Sequence, residues 1–371
     1  MNRKTDFPSH MRKAGLLLTL ALMLTVLAAA VPAAEAEDAA ETPPAAVHYT
    51  IPEDALTAPM PVYDNYGAAS MDEAYRLDEV IQKARDSGLL GADEAVAFRS
   101  DAPFYRGMYA RSIEYYLDDS ILVILWKENI EGKCCTFAEV KIADPSQLRR
   151  KLAQDTYGSE YQYFASELHE QVNAVVTMNA DYYLPREFGI VVFNRELCRF
   201  DTGYYAEGYS KYNCVDTLFV NSSGDFLYKK MGEENTPESI ETFVRDNDIL
   251  FSVAFGPVLV ENGEPLPCTW YPLGEVNLGY SRAGIGQMGK GHYLYMSLNH
   301  GSQEARWTVS EFARHFAEKP VQTAYCLDGG QTGEVYFCGS VYNYIDFGVE
   351  RRVSDILYFA TAIPSAEEPG A

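Results

Sequence analysis

Residues 308–333 read TVSEFARHFAEKPVQTAYCLDGGQTG. Thr308 and Glu311 are spaced as a capping box, so a helix is predicted to open there. Phe312, Ala313 and Phe316 fall on its inward side. Thr323 to Leu327 then reads as a short strand. It ends on a carboxylate, Asp328, with Gly329, Gly330 and Gly333 close behind. Glycines let backbone N–H groups come close to a ligand, and successive N–H groups in such a turn can cradle an anion. Asp328 at the strand end is placed to act as an acid, a base or a sugar-hydroxyl acceptor. An ordinary Asp-Gly hairpin turn is the competing reading.

The same mixture extends outward. Ser120 to Trp126, Cys135 to Ile142, Ala174 to Met178, Gly189 to Phe193, Thr217 to Val220, Val253 to Val260 and Tyr293 to Leu298 read as strands. Ser223-Gly224 and Asn262-Gly263 are turn pairs between them. Two more helices are predicted, one behind Ser70-Met71-Asp72-Glu73 with Leu77, Val80, Ile81 and Ala84 inward and Gly88 at its end. The other starts at Asp144-Pro145-Ser146-Gln147. Strand and helix do not alternate cleanly, which argues against a doubly wound sheet. The expected class is α+β: a mixed, mostly antiparallel multi-stranded sheet with a few flanking helices, plus a small N-terminal helical or mixed segment.

Toward the N-terminus, Arg3, Lys4, Arg12 and Lys13 precede an apolar run from Leu16 to Ala30, and Ala34-Glu35-Ala36 fits a signal-peptidase site. We therefore expect 1–36 to be a signal peptide, export to follow, and a membrane contact only if this segment stays uncleaved. Residues 37–60 are rich in Ala, Glu and Pro and read as a flexible linker, and 61–115 as the N-terminal segment. Among 371 residues, 30 basic and 53 acidic ones give a net charge of −23. Such a surface repels phosphate backbones, so nucleic acid is excluded as a partner. An anionic ligand would need a local basic pocket. Seven cysteines leave at least one unpaired. Cys198 with Cys214 and Cys326 with Cys338 are the nearest candidate pairs, and buried free thiols are the alternative.

Three further stretches carry polar groups at strand ends. In Met178-Asn179-Ala180-Asp181-Tyr182-Tyr183, an amide can orient a sugar or phosphate and the rings can stack on a pyranose. In Ser281-Arg282-Ala283-Gly284, a guanidinium can hold a phosphodiester in bidentate fashion. Arg351 and Arg352 are similar but less defined. In Phe255-Gly256-Pro257, Gly256 could open space for a ligand. Of the histidines, His292 and His300 flank one strand and could reach a site, and His315 reads as a surface or half-buried helix residue. No Gly-x-Ser-x-Gly elbow, His-Glu-x-x-His or Walker loop is present.

Taken in order, Asn179-Ala180-Asp181-Tyr182-Tyr183, Phe255 to Val260, Arg282 to Gln287, Ala324 to Gln331 and Arg352 to Leu357 resemble the phosphodiester glycosidase family, as does the stretch Cys135 to Leu152. The resemblance implies a phosphodiester glycosidase-like domain over 116–365. It implies a hydrolase that releases an N-acetylglucosamine-type sugar from a sugar-1-phosphodiester, in cell-surface or extracellular glycopolymers. The alternative is a non-catalytic glycopolymer-binding or exopolysaccharide-biosynthesis accessory protein. Carried over by position, the resemblance implies catalytic roles for Asp328, Asp181 and Asn179. It implies substrate or phosphate binding by Arg282, Gly329, Gly330, Gln331, Gly256 and Tyr183. No residue pattern identifies a cofactor; a divalent cation could join the phosphodiester, though no residue spacing demands a metal. Asn299-His300-Gly301 departs from the family pattern, where an Asp-Gly-Arg-like turn is common.

Overall fold

Apolar residues on both faces of the central strands dictate a sheet covered on both sides. In the strand Ile121–Ile130, Ile121, Val123 and Leu125 join one core cluster, while Leu122, Ile124 and Trp126 join another. A period-2 strand with two apolar faces reads in sequence as the continuous run seen there. The structure is a computed structural model and describes residues 47–181, 188–201, 213–298 and 306–365. Val47–Ala371 forms one compact unit.

The centre is a nine-stranded sheet in the order Glu264–Pro265, Val258–Glu261, Thr323–Leu327, Arg282–Gly289, His292–Leu298, Lys133–Ile142, Ile121–Ile130, Ile113–Leu117 and Tyr66–Ala69. Every described strand pairing in the molecule is antiparallel. One face packs on helices α1 (Arg76–Asp86) and α4 (Val309–Ala317), through Leu77, Ile81, Phe312 and Phe316. The other face packs on two five-stranded sheets. One runs Ser340–Val341, Val335–Phe337, Val176–Asn179, Asp355–Phe359, Leu148–Leu152. The other runs Phe226–Lys229, Thr217–Asn221, Ile249–Val253, Gly189–Phe193, Glu196–Asp201. Their far faces carry α2 (Ala165–Val172) and α3 (Pro237–Asp246). The α+β expectation is met.

The N-terminal segment is built into this core. Tyr66–Ala69 and Ile113–Leu117 are strands of the central sheet, and α1 covers it. Further upstream, Tyr49–Thr50 pairs with Ile363–Pro364, and Arg149 donates to the carbonyls of Ile51, Pro52 and Ala55.

Two element expectations change. The helix predicted at Asp144 is a single 3-10 turn, Pro145–Gln147, and the chain continues as the strand Leu148–Leu152. The capping box does form: Asp144 Oδ1 accepts from Ser146 N at 2.9 Å and Gln147 Oε1 from Asp144 N at 2.9 Å. Pairing with Asp355–Phe359 then overrides the local helix signal, because a cap satisfies only the first turn whereas a ladder satisfies every backbone group behind it. The expected strand Val253 to Val260 is two strands in different sheets, Ile249–Val253 and Val258–Glu261. Gly256, at φ 77°, and Pro257, which has no N–H to donate, break it. Cys198, Cys326 and Cys338 are free thiols, so the two candidate disulfides do not form.

Candidate active site

Antiparallel register brings the notable residues together. Arg282–Gly289 pairs with Thr323–Leu327 so that Ala283 faces Leu327. One position further on, Arg282 and Asp328 emerge at the same sheet end. They line one cavity of about 160 Å³, with Tyr280, Gly329, Gly330, Gln331, Asp346 and Arg351. The strand Val176–Asn179 of the second sheet ends against the same turn. Asp328 N donates to Ala180 O at 3.4 Å, the Asn179 side-chain amide donates to Asp328 O, and Tyr295 Oη donates to Asn179 Oδ1 at 3.0 Å. Asn179 is 1 % exposed, so it holds the turn in place from behind and does not line the cavity.

The glycine turn has a steric cause. A Cβ on Gly329 would lie 2.7 Å from Ser281 O, closer than a side chain tolerates. The missing side chain lets the turn lie against the Arg282 strand. Thr332 Oγ1 donates to Asp328 Oδ2 at 2.7 Å and fixes that carboxylate. Gln331 Nε2 donates to Val349 O at 3.1 Å and ties the turn to the loop carrying Asp346 and Arg351.

Arg282 is 3 % exposed. It donates to Trp307 O and Val276 O, each at 3.2 Å, and to Leu278 O. These carbonyls orient the buried guanidinium at the cavity wall, where a short-range cation can meet an anion within an acidic protein. Arg351 adds a second, exposed cation to the lining, whereas Arg352 donates to Gln162 O and stacks on Phe164 elsewhere. Cys326 also lines the cavity. Burial pushes its thiol up to about 12, which removes it as a nucleophile.

Asp181 is not among the lining residues. Its Oδ2 accepts from Ala254 N at 3.0 Å and lies 3.7 Å from Arg150 Nη2, and Arg150 Nε donates to Asp355 Oδ2 at 2.6 Å. Burial and the neighbouring Asp181 raise the Asp355 carboxyl against the pull of Arg150. Asp181 thus sits in a buried ionic cluster behind the strand end, two residues from Asn179. Gly256 is also outside the lining, although Phe255 belongs to it. A Cβ there would collide with the Tyr271 hydroxyl, which donates to Phe255 O at 3.0 Å, so this glycine makes room for a tyrosine. Tyr183 and the Asn299-His300-Gly301 departure lie outside the described residues. His292 is buried between Glu94 and Glu139, away from the cavity. His315 is fully buried against Trp307, not at the surface, because its ring stacks on the indole at 4.2 Å.

Sequence reasoning missed Tyr280, Asp346 and Phe347. None belongs to a recognisable motif; they are close to Asp328 only through the loop following Ser340–Val341 and the approach to the Arg282 strand. Glu334, directly behind the glycine turn, is 1 % exposed, and burial pushes its carboxyl up to about 9. Among the described residues, no group of three or more His, Cys, Asp or Glu side chains is arranged to hold a metal ion. A larger cavity, about 680 Å³, lies instead between residues 48–56 and the strand Leu148–Leu152. Its Arg149 is committed to backbone carbonyls and its Arg195 to Glu53 and Asp248, so it lacks the converging groups of the smaller one.

Comparison with known proteins follows the same segments. The model of a family described as phosphodiester glycosidase matches residues 172–360, just over half of the chain. The zebrafish N-acetylglucosamine-1-phosphodiester alpha-N-acetylglucosaminidase catalytic domain, auto-inhibited by its pro-peptide, is similar in structure at 12 % identity. The match covers 65 % of this chain and 82 % of that one, with a TM-score of 0.49. A hypothetical protein from Synechocystis matches at 14 % identity, over 70 % of this chain and 64 % of that one, with a TM-score of 0.45. No curated protein matches the sequence.

Proposed function

Since this chain belongs to the phosphodiester glycosidase family, we propose that it hydrolyses the glycosidic bond of a sugar-1-phosphodiester of the N-acetylglucosamine type. The observation that carries this reading is the shared cavity of Arg282 and Asp328, floored by the Gly329-Gly330 turn. Arg282, Arg351 and the turn's backbone hold the phosphate oxygens. Water then attacks the anomeric carbon, the bond between that carbon and the phosphate oxygen breaks, and the phosphomonoester leaves. Asp328, fixed by Thr332, takes the proton lost by water. The leaving phosphate is a weak base, so no strong general acid is needed opposite Asp328. Asn179 acts by positioning the Asp328 backbone, and Asp181 by anchoring the strand end behind it.

The basic start and apolar run at residues 3–30 support an exported protein, and hence cell-surface or extracellular glycopolymers as its substrates. The test is incubation of the purified protein with methyl N-acetylglucosamine-1-phosphate, following free sugar and methyl phosphate. Equimolar release of both is expected. Saccharide binding without release would favour a glycopolymer-binding protein instead.

A further inference from the structure

The cavity has an end that the phosphate does not explain. Asp346 lines it, with a side chain only 5 % exposed. Its Oδ2 accepts from Ser281 Oγ at 2.8 Å and from Arg306 Nη2 at 3.0 Å. Its Oδ1 is buried and accepts no hydrogen bond. A buried carboxylate oxygen without a donor is costly, and a ligand that brings an O–H or N–H relieves it. The next residue, Phe347, also lines the cavity and is 83 % exposed. Its φ is 66°, the left-handed region that disfavours a side chain of this size. A large aromatic ring is thus kept in water, on a strained backbone, beside a carboxylate oxygen that lacks a partner.

A phosphate suits neither feature, being an acceptor with no apolar face. A metal ion would need further ligands, and the described residues supply no such group. A neutral pyranose suits both, since its hydroxyl or acetamido N–H can donate to Asp346 while its C–H face lies on an aromatic ring. We propose that Asp346 and Phe347 form the sugar subsite of this cavity: Asp346 accepts a hydrogen bond from the saccharide and Phe347 stacks on its ring. Arg282 and Arg351 serve the anionic part of the same ligand. The assignment rests on the glycosidase reading, and it locates where the glycosyl group is recognised.

Calorimetry with two probes tests it, on the wild type, Asp346→Asn and Phe347→Gly. The neutral probe is methyl N-acetylglucosaminide and the anionic probe is methyl phosphate. Each substitution is expected to weaken the saccharide about tenfold, the effect of losing roughly 1.4 kcal/mol, and to leave methyl phosphate binding unchanged. Glycine tolerates the φ at 347, so Phe347→Gly should melt no lower than the wild type while still losing saccharide. That variant decides the matter alone if Asp346→Asn does not fold. The proposal is overturned if the wild type does not bind the neutral saccharide, if both folded variants bind it as before, or if methyl phosphate is lost in parallel. Turnover is scored separately. A wild type that never hydrolyses the diester, but whose variants lose saccharide, refutes hydrolysis and leaves the subsite standing.

Discussion

Glu334 shows how this site arranges its charges residue by residue. Burial raises its carboxyl to about 9, with Glu350 adding to the effect, so it stays neutral at pH 7 while Asp328, six residues earlier, is half-buried and bonded by Thr332. A folded-state value above the ordinary 4.5 means that the folded chain holds a proton the unfolded chain releases. Stability from this group is therefore full below about 4.5 and falls as pH rises toward 9. Glu334→Gln, which keeps the shape and removes the titration, should raise the melting temperature at pH 8 and leave it nearly unchanged at pH 4.5. Equal melting curves for both proteins at pH 8 would show that Glu334 ionises in the fold. The sequence disclosed Asp328 and Arg282 because each sits at the end of an apolar strand beside small residues. It did not disclose that Asp181 turns into the buried cluster with Arg150 and Asp355, since nothing local to Asp181 records a partner over thirty positions back. Asp346 was hidden for a similar reason: its relation to Ser281 spans 65 positions.

At the scale of elements, the loop ahead of Phe98 is clamped to the central sheet. His292 Nδ1 faces Glu94 Oε1 at 2.8 Å and its Nε2 faces Glu139 Oε1 at 2.9 Å. Two carboxylate acceptors require both ring nitrogens to donate, so the ring is an imidazolium. Burial alone would lower its pKa, but the bonds to Glu139 and Glu94 raise it above 6.5. Burial likewise opposes ionisation of Glu94, yet bonds from His292 and Lys141 bring it down to about 2. The clamp's contribution is thus present above about 4.5 through Glu94 and full below 6.5 through His292, and it is lost as pH rises through the raised histidine value. His292→Gln should melt well below the wild type at pH 6, and the gap should narrow by pH 9; a gap that stays constant would deny the charge. α1 and α4 were readable from their caps and several core strands from apolar runs, whereas α2 and α3 were not predicted. The short turn at Pro145–Gln147 was not, because a complete capping box forms there and only distant pairing cancels the helix.

For the whole molecule, a net charge of −23 surrounds a cavity that must admit an anion. The long-range field repels a phosphodiester, while the buried Arg282 acts at short range, where salt screens less. Raising ionic strength from about 0.01 to 0.15 M shortens the screening length from about 30 to 8 Å. It should therefore raise kcat/KM for the anionic substrate; a fall would mean that exposed cations steer its approach. The layered plan brings three strand ends and one loop to a single hollow, and the account depends on Asp328 doing chemistry there. The most direct measurement is sugar release from methyl N-acetylglucosamine-1-phosphate by the wild type and by Asp328→Asn, which keeps the Thr332 contact. The account predicts release by the wild type and a loss of about 10³-fold or more in the variant, at the upper range for removing one acid–base group, with an unchanged melting temperature. Undiminished release by a folded Asp328→Asn protein would contradict it.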